Sequence, residues 1–204
     1  MNRDEGTSLV ELVVGMTLMM IFLAMFTGAA VMMNTAMSKS QAVNVASSQI
    51  NIAYLNLDTT VRYASYIGTP ASTPAVGTGN WYVEFQSTTS GTEACTQLRV
   101  DKTSRQLQVR TWTVLNATAS SPSAWVPIAS GISNGDAVAG ATSQPFYRVA
   151  PGENTVFQQL TITLISPAGP ASSITNSMSS FTFTALNSVV PAPTSSICLQ
   201  WGRP

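Results

Sequence analysis

The chain has 204 residues, with nine basic and nine acidic side chains, so it carries no net charge; charged residues make up 9% and hydrophobic ones 45%. That length suits one globular unit with an extension, and a neutral surface supplies no long-range field to steer nucleic acid or acidic substrates. The absence of histidine excludes Ser-His-Asp and Cys-His catalysis and histidine-bound zinc, so no enzyme, cofactor or metal is expected.

The first six residues, MNRDEG, are polar, and from Leu12 to Met33 the chain runs for 22 residues with no charge and no proline. As a helix that run crosses a hydrocarbon core of about 30 Å. A cleaved secretory signal would need a basic start and an A-x-A-like exit. Here Arg3 is outweighed by Asp4 and Glu5, and NTAMSKSQAVNV follows Met33. The apolar helix is therefore expected to stay on the mature protein.

The leader ends in Gly6 and continues as TSLVEL, which places Glu11 at the fifth position after that glycine and ahead of the apolar run. This pattern resembles the class III signal of type IV pilins and of the pseudopilins of type II secretion. The resemblance implies cleavage between Gly6 and Thr7 by a prepilin peptidase at the cytoplasmic face, with Thr7 N-methylated as the new first residue. It also implies a single-pass protein of the bacterial cytoplasmic membrane, N-terminus in the cytoplasm, later moved into a surface or periplasmic filament. The implied partners are other pilins or pseudopilins, the peptidase, the inner-membrane assembly platform and membrane lipid, with no small-molecule substrate.

The sequence departs from the family in three places. Asp4 and Glu5 stand where Lys or Arg is usual, and Thr7 where Phe is usual. Gly28 occupies the place of a helix-breaking proline found in many major pilins; glycine weakens a helix by about 1 kcal/mol relative to alanine but keeps the hydrogen bond. With Lys39 beyond the apolar run, charge placement alone leaves the orientation open, and the uncleaved alternative is a single-pass surface adhesin or receptor.

A carboxylate inside a membrane segment costs roughly 2.5 to 3.5 kcal/mol at the centre and less near an interface. The resemblance implies that Glu11 pairs with the freed amine of Thr7 on a neighbouring subunit and so sets axial register in a filament. Helix spacing alone equally allows Glu11 to snorkel to headgroups or to meet the amine of its own chain.

Past Met33 the sequence turns polar but keeps helical periodicity: Val43, Ala46, Ile50, Ala53, Leu57, Val61, Ala64 and Ile67 fall at steps of three and four. Asp58 and Arg62 form an i,i+4 pair, and Gly68, Thr69 and Pro70 close the helix. A helix from Ser8 to Ile67 would be about 90 Å long. The chain divides into a leader (1–6), a long helix (7–67, membrane part 9–33) and a β-rich head (68–204).

In the head, NWYVEFQ alternates Trp81, Val83 and Phe85 against Tyr82, Glu84 and Gln86, and CTQLRVD and QLQVRTW flank the polar turn DKTSR as a hairpin. Leu98, Val100, Leu107 and Val109 should face inward. FQQLTITLI, SFTFTAL and SICLQW are further strands, and Asn116–Ser123, Ser166–Ser180 and Asn187–Ser196 are loops. Helix first and strands afterwards is an α+β order, a long helix laid on an antiparallel sheet. VRYASYI followed by a cysteine-containing hairpin, within residues 50–110, is similar to the larger minor pilins and J-type pseudopilins.

Cys95 and Cys198 form an even pair in a chain with an export signal, which favours a disulfide over two buried thiols. Glu84 and Glu93 span a loop, with nothing in the sequence to bring them together as a catalytic pair. Asp136 in SNGDAVAG is a weak calcium candidate against an ordinary turn with Asn134 and Gly135. Arg99, Lys102, Arg105 and Arg110 outnumber Asp101 on the hairpin, and an outward face shared by Arg99, Arg110 and Trp112 is a candidate contact for DNA, through phosphate and base stacking. More commonly such a face is simply solvated. Asn116-Ala117-Thr118 is the N-glycosylation sequon.

Overall fold

The computed structural model describes residues 8–73, 79–88, 91–115, 118–134, 144–152, 155–168, 175–188, 198 and 201–203. A single long helix, α1 (Leu9–Arg62), is followed by ten strands: β1 (Ala64–Ile67), β2 (Ala71–Thr73), β3 (Asn80–Ser87), β4 (Glu93–Asp101), β5 (Gln106–Leu115), β6 (Thr118–Ala119), β7 (Val126–Ser130), β8 (Phe146–Val149), β9 (Gln158–Ala168) and β10 (Thr175–Ala185). The class is α+β, in the helix-then-strand order that the sequence implies.

All strand pairings among the described residues are antiparallel. Seven strands form one sheet in the order β1-β3-β4-β5-β6, with β2 also on β3 and β7 also on β5; β10-β9-β8 form a second. The hairpin expected around DKTSR is β4 and β5, whose register sets Leu98 opposite Val109 and Val100 opposite Leu107. Three of these four are fully buried and Val109 packs against the same core.

Apolar side chains on one face of α1 meet both sheets. Ile50, Ala53, Leu57 and Val61 are buried, and the helix lies against β7, β9 and β10. Tyr54 sits 5.1 Å from Phe181 and 5.3 Å from Phe183, ring centre to ring centre. Trp81, Val83, Phe85 and Leu107 from the large sheet and Leu160, Ile162, Leu164 and Phe183 from the small one complete a continuous core. Each large side chain so buried contributes about 1.5–3 kcal/mol. The side chains of Val43 and Ala46, the first two of the expected stripe, lie outside the described residues.

Three expectations need correction. The helix stops at Arg62, with Tyr63 as its C-cap, rather than at Ile67. Ala64–Ile67 forms β1, whose backbone hydrogen-bonds to β3; tyrosine and isoleucine suit a pleated surface, and pairing satisfies backbone groups that the end of a helix would leave open. Ala64 and Ile67 are still buried. Next, two expected loops contain strand: Ser166–Ser180 contributes to two strands at its ends, because β9 and β10 pair in register from Ala168 and Thr175 to Gln158 and Ala185, and Thr118–Ala119 within Asn116–Ser123 is β6, paired with β5. Finally, of SICLQW, Cys198 and Trp201 are described and neither is in a strand. Short strands β2, β6, β7 and β8 carry too little alternation to stand out in the sequence.

Candidate functional site

Two regions hold the residues singled out from the sequence: the start of α1, and the face of the large sheet turned away from the helix.

Ser8 caps α1. Its backbone is extended (φ −70°, ψ 144°), and its Oγ accepts from the Glu11 N–H at 3.3 Å while its carbonyl accepts from the same N–H at 3.0 Å and from Leu12 at 3.3 Å. SLVE thus has the spacing of a capping box, Ser followed three residues later by Glu. Glu11 lies in the first helical turn, where the positive end of the helix dipole favours an anion. The sequence pattern S-x-x-E carries this second role legibly. Gly6 and Thr7, the proposed cleavage pair, lie outside the described residues.

From Leu12 to Met33 the helix carries no charge and is bare. Leu9–Gln41 is long and apolar enough to cross a membrane or act as a signal, and its most apolar window is not buried at all by the rest of the molecule. Phe22, Met25, Phe26 and Met32 are each about 70% exposed. A continuous surface of that kind marks a contact with lipid or with other protein.

On the head, β3, β4 and β5 present Glu84, Gln97 and Arg110 side by side, since Glu84 is opposite Gln97 and Gln97 opposite Arg110. Gln97 Nε2 donates to Glu84 Oε1 at 2.6 Å, and Arg110 Nε donates to Gln97 Oε1 at 2.7 Å. The C-terminal residues cross this row. Arg203 grips Glu84 with both nitrogens, Nε to Oε1 at 2.9 Å and Nη2 to Oε2 at 2.6 Å. The Gly202 carbonyl accepts from Gln97 at 3.1 Å and from Arg110 at 3.3 Å. Gly202 has φ +65°, a left-handed turn that glycine adopts without steric cost.

A disulfide between Cys95 and Cys198 ties the same segment to β4, with 5.5 Å between the α-carbons. The cysteines pack with Trp112, Val114 and Ala119 in a small second core. Electrostatics follow from the packing. Hydrogen bonding to Glu84 holds the Arg203 guanidinium more basic than usual, whereas burial, and then the neighbouring Arg99, make Arg110 less basic than usual.

This arrangement changes the reading of three groups. Arg99, Arg110 and Trp112 share a face of the sheet, as expected, but that face is not open to solvent. Trp112 is 3% exposed and Arg110 8%. Trp125 covers both arginines, 4.2 Å from the Arg99 guanidinium and 4.6 Å from that of Arg110. Trp112 is packed with Cys95, Cys198 and Val114, with the Arg110 guanidinium 5.7 Å from its ring, so base stacking on it would require that packing to open. Arg99 is further engaged by Gln108 Oε1 at 2.7 Å.

The carboxylate pair is also separated: Glu84 is buried under Arg203 opposite Gln97, whereas Glu93 lies at the start of β4 opposite Val114. Asp136 and Gly135 are outside the described residues, as are Asn116 and Ala117 of the sequon. Asn134 is buried and works as a clip, donating to the Thr163 carbonyl at 2.7 Å and accepting from the Ile165 N–H at 2.8 Å.

The architecture is pilin-like: a long apolar helix comes first, its second half lies on an antiparallel head, and a disulfide secures the C-terminal segment. Comparison with protein-family models, curated proteins and solved structures finds no significant match.

Proposed function

We propose that the chain is a structural, non-enzymatic subunit of a type IV pilus or type II secretion filament, a minor pilin or pseudopilin, cut between Gly6 and Thr7 and assembled through α1. The observation that carries this reading is the contrast within one helix. Its far half is built into the head, while its near half is apolar, unburied and begins with a capped turn bearing Glu11. Sister subunits, the prepilin peptidase, the assembly platform and membrane lipid are the partners of such a surface.

In a bundle of these helices the ammonium of Thr7 on one chain neutralises Glu11 on the next. Removing one member of a desolvated pair costs about 3 kcal/mol or more, roughly a hundredfold in an association equilibrium. The cap at Ser8 supplies a control. Both Glu11→Gln and Glu11→Ala keep the backbone N–H that Ser8 caps; Gln removes the charge and keeps a polar side chain of the same length at the third helical position, whereas Ala removes the side chain as well. With wild-type membrane levels of each variant, the expected result is that both lose filament incorporation by about a hundredfold. Normal incorporation of Glu11→Gln would assign Glu11 to capping and end the register argument.

The acidic leader, Asp4 and Glu5, favours one rival, an uncleaved anchor whose head acts as an adhesin or receptor. Mass spectrometry of the protein from membranes separates the two. The proposal expects a chain starting at Thr7; an intact Met1 in cells with an active peptidase selects the rival.

A further inference from the structure

We propose that the groove between α1 and the membrane-proximal end of the head is a binding site for the headgroup of an anionic phospholipid. The site rests on the membrane-inserted state argued above and adds a specific ligand to it. Ser38, Gln41 and Gln49 line the groove from the helix, and Ser130 and Ser166 from the head, around a volume of about 440 Å³. Hydroxyl and amide groups of this kind suit the phosphate and glycerol oxygens of a lipid, and none of the described residues that line the groove is a carboxylate.

Its height matches. Ser38 lies five residues beyond Met33, the end of the uncharged run, which is about 7–8 Å along a helix rising 1.5 Å per residue. The headgroup layer extends about 5–8 Å beyond the hydrocarbon on each side. At its upper end the groove is closed by Gln49, whose Oε1 accepts from Ser130 N at 2.9 Å and from Ser130 Oγ at 2.7 Å.

Charge is distributed to suit an anion. The chain has two lysines, Lys39 and Lys102, and both are at this end. Lys39 is exposed and follows Ser38. Lys102 sits with exposed Arg105 in the β4–β5 turn, and Gln106, which ends that turn, pairs with Ser130 at the groove. The acid in the turn, Asp101, accepts from Thr103 N and Ser104 Oγ and stands 3.9 Å from the Arg99 guanidinium. Among the described residues at this end Lys39, Lys102 and Arg105 therefore outnumber Asp101, while the carboxylate of Glu93 stands at the other end of β4.

The test uses the full chain in bilayer nanodiscs containing equal amounts of phosphatidylcholine and phosphatidylglycerol, followed by native mass spectrometry of the lipid retained. Wild type should keep one phosphatidylglycerol in preference to phosphatidylcholine. Lys39→Gln should lower that preference about fivefold, the effect of one cation at an anionic surface. Val45→Trp, an exposed position on the helical wall of the groove, should abolish retention by filling the space without touching the core. Equal retention of the two lipids, or retention unchanged in Val45→Trp, overturns the site. A chain that stays outside the discs overturns the membrane reading and the site with it; a chain that inserts without lipid preference overturns the site alone.

Discussion

The two halves of α1 are one unbroken helix held by different forces. From Ile50 to Val61 every third or fourth side chain is buried in a core shared with two sheets. From Leu9 to Met37 none of the described residues covers the helix, although its residues are more apolar than those above. Hydrophobicity alone thus does not decide what a helix packs against. The upper half has a one-sided stripe that matches a head, while the lower half is apolar all round, as a segment surrounded by lipid or sister helices must be.

That comparison can be broken from either side, and all four tryptophans lie in the head, so their fluorescence during urea unfolding in detergent reports on the head alone. The largest effect is expected from Cys95→Ser with Cys198→Ser. Opening a loop of sequence separation 103 removes about 4–5 kcal/mol in the chain-entropy model; a loss under about 1 kcal/mol would show that packing with Trp112 holds the segment by itself.

Arg203→Ala comes next. It leaves the fully buried Glu84 carboxylate without its cation, at a cost of about 3 kcal/mol, and an unfolding midpoint equal to wild type would mean that Gln97 suffices.

Leu57→Ala should cost about 2–4 kcal/mol by leaving a cavity under the helix, whereas Leu18→Ala should leave the head's stability unchanged. Equal losses in the two variants would erase the distinction between the halves. The smallest effect belongs to Ser8→Ala, worth about 1 kcal/mol at the N-cap. It should appear as faster amide exchange at Glu11 and Leu12 with the tryptophan signal unaltered.

Legibility followed the range of the interactions. The stripe from Ile50 to Val61, the inward set Leu98, Val100 and Leu107, and the polar turn between β4 and β5 are all periodic signals a few residues long, and the structure places each where the pattern puts it. The helix ends earlier than its spacing implies, because Ala64 and Ile67 continue the periodicity while a strand partner distant in sequence, with Ser65 to Gln86 among its contacts at a separation of 21, overrides local preference. At Trp112 the pattern assigned the correct face of β5 and the wrong exposure. Alternation tells which residues share a face; it says nothing about what lies over it.

By itself, then, the sequence determined the long helix, its division into an apolar and an amphipathic half, the α+β order and the inner face of the hairpin. Each depends on residues close along the chain or on composition. The cysteine count also favoured joining Cys95 to Cys198, and the structure has that bond; only the tertiary structure decided that the outer face is a second, covered layer and that Glu84 is answered by Arg203 from 119 residues away. Ion pairs and disulfides need only nearness in space, and folding brings together partners whose separation along the chain leaves no periodic trace.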